Sequence, residues 1–456
     1  MARRRVGAGK VPGHVALLGL LAGVAAIVVF AAAAPSLLVS RGGVPFPAWL
    51  SGPLHGPFGR ITEDRQTLEF GLSAVLVAMA VAYAAALLWS RALSMRAVVV
   101  FVAVVHAILL LSPPLESSDL FTYLAYARLG VLHHLNPYTH AIAREPHDPA
   151  FFLSSWHHWH SPYGQLFTAV SYPLAWLPVP VAYWALKTVT VLTSLAVLAV
   201  LARCACALGR DTRFAVLLVA ANPLYLVYAL GGFHNDFFML ALSAAAIALV
   251  LSGRDRAAGV ALVAAIGVKF TVVLLLPFLL LGADTGPRRR RMLSGAGLAA
   301  VLLVAASVAL FGLTLPNVSG QSDLITGLSM PNLLGLAIGA GGAVPTVVHA
   351  LDVAVVLVAI HQLLRNRDWL AGAAWSTLVL VASIAWLMPW YVIWAFPLVA
   401  LSGSRKLCAT ALALAAFVLI TVLPTTGMFL SAHHLDPLGG RAIRGVIVQE
   451  NRLQRP

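Results

Sequence analysis

Charge is what this sequence lacks most. Only 10% of its 456 residues are Asp, Glu, Lys or Arg, against roughly a quarter in a soluble domain, so it cannot face water on all sides. Acid is scarcer than base, with 16 Asp and Glu against 30 Lys and Arg and a formal net charge of +14. The basic residues are scattered through short segments and not gathered on one face, which excludes a nucleic-acid partner as their explanation. Cysteine is nearly absent. Cys204, Cys206 and Cys408 fall near helix ends, and the first two point to different sides of one helix. Neither a disulfide framework nor a thiolate metal site is expected.

What fills the chain is hydrocarbon: 60% of residues are hydrophobic. Apolar runs of about 20 residues recur, the length a helix needs to cross a bilayer. The expectation is an all-α polytopic membrane protein of about twelve or thirteen spans, at residues 14–34, 69–89, 97–112, 180–208, 213–230, 237–252, 257–268, 270–283, 292–313, 343–364, 370–387, 391–403 and 407–427. Several are too short to cross unaided. The first, from Val15 to Ala34, is long for a signal peptide and reads as an uncleaved span.

With the N-terminus in the cytoplasm, 19 of the 30 basic residues fall on that side, as the positive-inside rule requires. Ser161 to Pro178 then reads as a re-entrant or interfacial helix. The tail's Arg441, Arg444, Arg452 and Arg455 run against the rule. This divides the chain into N-terminal spans (1–112), a large outer loop (113–179), a core of spans (180–427) with outer loops at 231–236 and 314–342, and a tail (428–456). Function is expected on the outer face, since the cytoplasmic loops are short and basic.

The outer loop opens with "LESSDLFTYLAYARLGVLHHLNPY", which sets Glu116 and Asp119 beside aromatic residues. Asp119 could cap the helix that follows or carry chemistry. "GGFHNDFF" places His234, Asn235 and Asp236 in a turn between two spans, where polar groups are expensive unless they face a cavity or a partner. An interhelical bond would explain them as well. "GVKFTVV" leaves Lys269 between two half-length helices without a sequence-local partner; it would suit an anion, or snorkel to the headgroups. "HHWH" (His157 to His160) invites a metal, but no second ligand motif of diagnostic spacing accompanies it.

Taken together, "SSDLFTYLAYARLGVLHHLNPY", "WHHWHSPYGQL", "NPLYLVYALGGFHNDFFML", "VKFTVVLLLPFLL" and "LSMPNLLG" resemble, in order and spacing, the polyprenol-phosphate-mannose-dependent α-1,6-mannosyltransferases of the GT-C superfamily, which extend lipid-linked mannans in actinobacterial envelopes. Departures are Leu120-Phe121 after the Asp, Gln165 after "SPYG", and "MPN" in place of a small residue with Pro-Thr. The resemblance implies a GT-C fold with a catalytic carboxylate in the first large outer loop, which maps onto Asp119. It also implies inverting transfer from a polyprenyl-phosphate sugar, most simply mannose, to a glycolipid or glycan hydroxyl at the extracytoplasmic face of the cell membrane.

On that basis Asp119 is expected to act as general base, with Glu116 in reserve. Lys269, Arg128 and His234 are expected to hold the donor phosphate. Asn235, Asp236, His157, His158, Trp159 and Tyr163 are expected to bind sugar or acceptor, and Phe237, Phe238 and Phe270 to wall an isoprenoid groove. No cofactor is expected to be required, a divalent metal being the alternative. Competing functions are a transporter or flippase of lipid-linked saccharide, and a GT-C enzyme using glucose, arabinose or a protein acceptor.

Overall fold

A computed structural model describes residues 10–32, 47–50, 52–54, 64–115, 118–316, 324–365 and 368–439. Glu116, much of the 35–68 segment, residues 317–323 and the Arg-bearing tail lie outside the described residues. Among those described, all regular structure is helical.

Three long helices come first: α1 (Lys10–Ala32), α2 (Arg65–Leu88) and α3 (Met95–Leu111). The large loop holds α4 (Asp119–Val131) and α5 (Gln165–Ser171). Then follow α6 (Val179–Ala207), α7 (Thr212–Ala220), α8 (Asp236–Leu251), α9 (Asp255–Val268), α10 (Leu276–Gly282) and α11 (Gly286–Phe311). The last group is α12 (Met330–Ala337), α13 (Pro345–Arg365), α14 (Trp369–Ser383), α15 (Phe396–Ser402), α16 (Arg405–Val422) and α17 (Pro424–Ala432). The protein is a polytopic, all-α membrane protein. Among the described residues six helices are long and apolar enough to cross a bilayer alone, or seven if one bent pair is a single span.

Helix starts are written into the loops. Asp64 accepts from the N–H groups of Gln66 and Thr67, and Asp211 from those of Arg213 and Phe214; Ser94, Asp368 and Ser404 cap α3, α14 and α16 in the same way. Each cap satisfies N–H groups that helix geometry leaves unpaired. The Ser161 to Pro178 segment contains only the seven residues of α5 and a tight turn at Tyr172–Trp176. At about 1.5 Å per residue α5 is far too short to cross.

Three expected spans are interrupted: 270–283 and 391–403 open with tight turns at Phe270–Leu275 and Pro389–Trp394 before the short α10 and α15, and 213–230 is bent. Residues 213–230 read as a continuous helix, but the chain bends by 54° after α7. Pro223 has no N–H to give and its ring crowds the preceding turn, while Asn222 Oδ1 accepts from Leu224 N–H at 2.9 Å. The chain resumes as a wide π-turn over Leu224–Leu230, every side chain of which is buried.

The two ends of the bundle differ in chemistry. At one end Arg213 donates to the carbonyls of Arg91 and Leu93, and Arg210 to those of Leu401 and Ser402. At the other, Leu115 N–H donates to Gly231 O at 2.8 Å, and Gly164 N–H to Val268 O at 3.2 Å. Charged loops gather at the first end, and the large loop and the His-Asn-Asp turn at the second.

Lipid tails are as apolar as the helices, so association rests on close packing. α9 and α11 approach until a Cβ on Gly259 would lie 2.1 Å from Met292 O, and one on Gly295 would lie 2.1 Å from Arg256 O. The large loop carries its own small core of Tyr126, Leu129, Ile142, Phe151 and Val179. Lys187, fully buried on α6, donates to Ser112 O at 2.6 Å, and its amino group lies over the rings of Tyr183, Trp184 and Phe233 at 5.0, 4.4 and 4.7 Å. It ties the end of α3 to the turn before His234. Lys187→Ala leaves Ser112 O buried without this donor, a loss of about 1–3 kcal/mol; a thermal melt of the detergent-solubilised protein should show a lower Tm.

Candidate active site

α3 ends at Ser112-Pro113-Pro114, and the chain re-enters helical structure at Asp119, the first residue of α4. A carboxylate there meets the positive end of the helix dipole. Facing it is the turn Gly231–Asn235. A Cβ on Gly232 would lie 2.4 Å from His234 Nε2 and 2.6 Å from Tyr228 O, so only glycine lets the imidazole sit where it does. The His234 ring stacks on Trp390 at 3.7 Å, with the planes 16° apart. Its Nδ1 lies 3.2 Å from Asp119 Oδ2, close but off the line of a good hydrogen bond, so the contact is mainly electrostatic. His234 is 1% exposed and Asp119 20%.

Two residues on, Asp236 opens α8 and is buried. Its Oδ1 accepts from Lys269 Nζ at 2.7 Å and from the Trp394 indole N–H. Lys269 follows α9 in extended backbone, and its amino group lies over the rings of Tyr391 and Trp394 at 4.8 and 4.6 Å. The cation that looks solitary in sequence is therefore paired.

These groups line a cavity of about 450 Å³, within the usual range for small-ligand sites. Asp119, Asn235, Asp236, Lys269, Trp159 and Tyr163 all reach it, and His234 adjoins it through Asp119. Asn235 N–H donates to Tyr123 Oη at 3.2 Å, tying the turn to α4. Burial and then the nearby Asp119 charge hold the Tyr123 and Tyr163 phenols well above their ordinary pKa. They remain protonated, with hydroxyls able to serve a polar ligand.

Three expected residues lie elsewhere. Arg128 does not line the cavity: its Nε donates to both Asp148 oxygens at 2.9 and 3.0 Å, and its Nη1 to Ala175 O at 3.2 Å. It braces the loop and is no phosphate ligand there, nine residues along α4 from Asp119 and so about 13 Å away. His157 is buried, stacked on Phe151 at 4.1 Å, with Nε2 2.8 Å from Phe151 O. His158 is exposed and outside the cavity lining. Nor do Phe237, Phe238 and Phe270 form one wall: Phe237 packs on Tyr225, Phe238 on Phe167, and Phe270 is 74% exposed. Among the described residues no group of three or more His, Cys, Asp and Glu is placed to hold a metal ion.

The sequence reading missed the aromatic part of the lining: Tyr123, Tyr126, Trp156, Tyr228, Trp386, Trp390 and Tyr391. A signal existed in "WLMPWYVIWAFP", a dense aromatic patch interrupting an aliphatic span.

A cavity of carboxylate, amine and aromatic rings at one end of an apolar helix bundle has the chemistry of a membrane-embedded enzyme acting on sugars, whose rings offer hydroxyls at the edge and C–H groups on the face. Sequence comparison narrows the class. Residues 16–283, more than half of the chain, match the family described as alpha-(1->6)-mannopyranosyltransferase, N-terminal domain, and the chain belongs to that family. It is a hexosyltransferase. It is 29% identical over 363 residues to alpha-(1->6)-mannopyranosyltransferase A of Mycobacterium tuberculosis, covering 71% of this chain and 69% of that protein. It is also 29% identical over 178 residues to the protein of the same description from Corynebacterium glutamicum, covering 37% and 35%. No solved structure matches. The family match takes in Asp119, His234 and Lys269; the wall built by Trp386 to Trp394 lies beyond it.

Asp148 gives a test of the bracing role of Arg128. Burial raises its pKa, but donors from Arg128, His133 and the Ala150 N–H outweigh that and bring it below the ordinary carboxylate value. The stability it contributes is therefore present above about pH 4 and is lost as pH falls through the lowered folded value. Asp148→Asn should lower Tm near neutral pH, and the gap to wild type should close on acidification.

Proposed function

We propose that this chain transfers mannose from a polyprenyl-phosphate donor to a hydroxyl of a glycan or glycolipid, with inversion, at the extracytoplasmic face of the membrane. The observation that carries the reading is the partly exposed Asp119 carboxylate, 3.2 Å from His234 and opening on the same cavity as the Lys269–Asp236 pair. In a single displacement the acceptor oxygen bonds to the anomeric carbon as its proton passes to Asp119. The bond from that carbon to the phosphate oxygen breaks, and polyprenyl phosphate leaves. One carboxylate suffices, because a phosphate leaving group needs charge stabilisation more than protonation. A β-linked donor then gives an α product.

Asp236 already pairs with Lys269, so the lysine brings fixed N–H donors to the phosphate and little net charge. The Tyr123 and Tyr163 hydroxyls would add donors from the other side. The charged end of the bundle is assigned to the cytoplasm by the positive-inside rule, which leaves the cavity outside.

A lipid-linked substrate also needs an apolar channel. A cavity of about 690 Å³, lined mostly by apolar side chains of α2 and α16 with Phe214 and the Asn222–Leu224 break, includes Leu423; the next residue back, Val422, lines the active-site cavity. Its apolar lining suits a prenyl chain, and Leu423 brings its near end within one residue of the active-site lining.

Two experiments follow. In detergent with a short-chain polyprenyl-phosphate mannose, Asp119→Asn should lower kcat by about 10²–10⁴-fold, the usual worth of a general base, with Tm unchanged; full activity would remove Asp119 from the role. Ala416→Trp fills the apolar cavity, and should raise the KM of a long-chain donor well above that of a short-chain one. An equal change for both would place the lipid elsewhere.

A further inference from the structure

Part of the cavity wall takes no role in that chemistry. Trp156, Trp159 and Trp386 line it, all partly exposed. Trp156 and Trp159 stack with centroids 4.9 Å apart, and Trp386 meets Trp156 edge-on at 6.1 Å and 84°. Among the described residues no hydrogen bond engages their indole N–H groups, which leaves donors beside apolar ring faces.

These rings stand on loops, yet the loops are pinned. Trp156 has φ +64, a backbone conformation that a bulky residue keeps only where its surroundings over-determine it. Ser155 N–H donates to Thr122 Oγ1 at 3.2 Å, the Ser155 and Ser118 hydroxyls meet, and Tyr126 Oη donates to Trp159 O at 2.7 Å. On the opposite side Thr326 holds both neighbours of Trp386: its N–H donates to Ala385 O at 2.9 Å and its hydroxyl to Leu387 O at 3.2 Å. Indoles fixed this way are preorganised, so a ligand need not pay to order them.

We propose that Trp156, Trp159 and Trp386 form an acceptor subsite that stacks a pyranose ring of the acceptor glycan and turns its nucleophilic hydroxyl to Asp119. The inference rests on the transferase reading above. The acceptor is favoured over the donor because Trp156 and Trp159 join α4 through Ser155, Ser118 and Thr122, at the residues beside the base, and Trp386 meets Trp156 edge-on. Lys269, the partner for phosphate, belongs to the wall made by α8, α9 and the Tyr391–Trp394 turn.

The test uses the full chain in detergent, with α-1,6-linked mannotriose as acceptor and a short-chain polyprenyl-phosphate mannose as donor. Trp386→Ala should raise the acceptor KM roughly tenfold or more, the scale of losing one well-packed aromatic contact, and move the donor KM little; Trp386→Phe should recover part of the loss. An unchanged acceptor KM, or a rise confined to the donor, overturns the subsite. Mannotriose added without donor should also change the tryptophan emission of wild type, and in Trp386→Ala the change should need a roughly tenfold higher concentration. This separates the two claims. If wild type transfers no mannose, a Trp386-dependent emission change upholds the saccharide subsite while the transferase reading falls, and an unresponsive emission overturns the subsite.

Discussion

The site depends on one buried carboxylate. Asp236, with 2% of its side chain exposed, sits where a charge is costly unless it is paired and hydrogen-bonded. Lys269 and the Trp394 indole supply the partners. In doing so they draw together the start of α8, the end of α9 and the turn after Pro389, three segments remote in the chain. His234 and Asn235 immediately precede it, so the anchor that holds Asp236 also sets the imidazole against Asp119 and the Asn235 N–H against Tyr123. A break at Asp236 would be felt at the base as well as at the amine.

The large loop obeys the same economy on a smaller scale. It cannot draw on lipid packing, so it builds a core around Tyr126 and Phe151 and locks it with Arg128, His133 and Asp148. That network holds several of the loop's charged residues away from the cavity, which, among the described Asp, Glu, His and Arg residues of the loop, Asp119 alone lines. Lys187 does a related task below, joining the end of α3 to the turn before His234 through a carbonyl and three rings.

Much of the helical layout was legible because a span is a local property: enough consecutive apolar residues, bounded by Asp, Ser or Pro. The break at Asn222-Pro223 was less so, since a proline within an apolar run is read as a kink only when its neighbours are known. Asp119, His234, Asn235, Asp236 and Lys269 stood out because polar side chains at membrane depth are rare. Arg128, His157 and His158 were expected at the same site, and the structure places them outside the cavity lining. In sequence an arginine bound for a phosphate and one bound for Asp148, 20 residues away, look alike.

The sequence by itself determined that the chain enters the bilayer, that its polar chemistry is confined to a few short segments, and which residues those are, because hydrophobicity and length are written along the chain. Only the tertiary structure decided how the polar residues pair: that Lys269 belongs to Asp236, that His234 meets Asp119, and that Trp156, Trp159 and Trp386 share one wall. Pairing is a matter of distance through space. The segments concerned lie up to 267 residues apart, from Asp119 to Trp386, and no local pattern encodes which of them will meet.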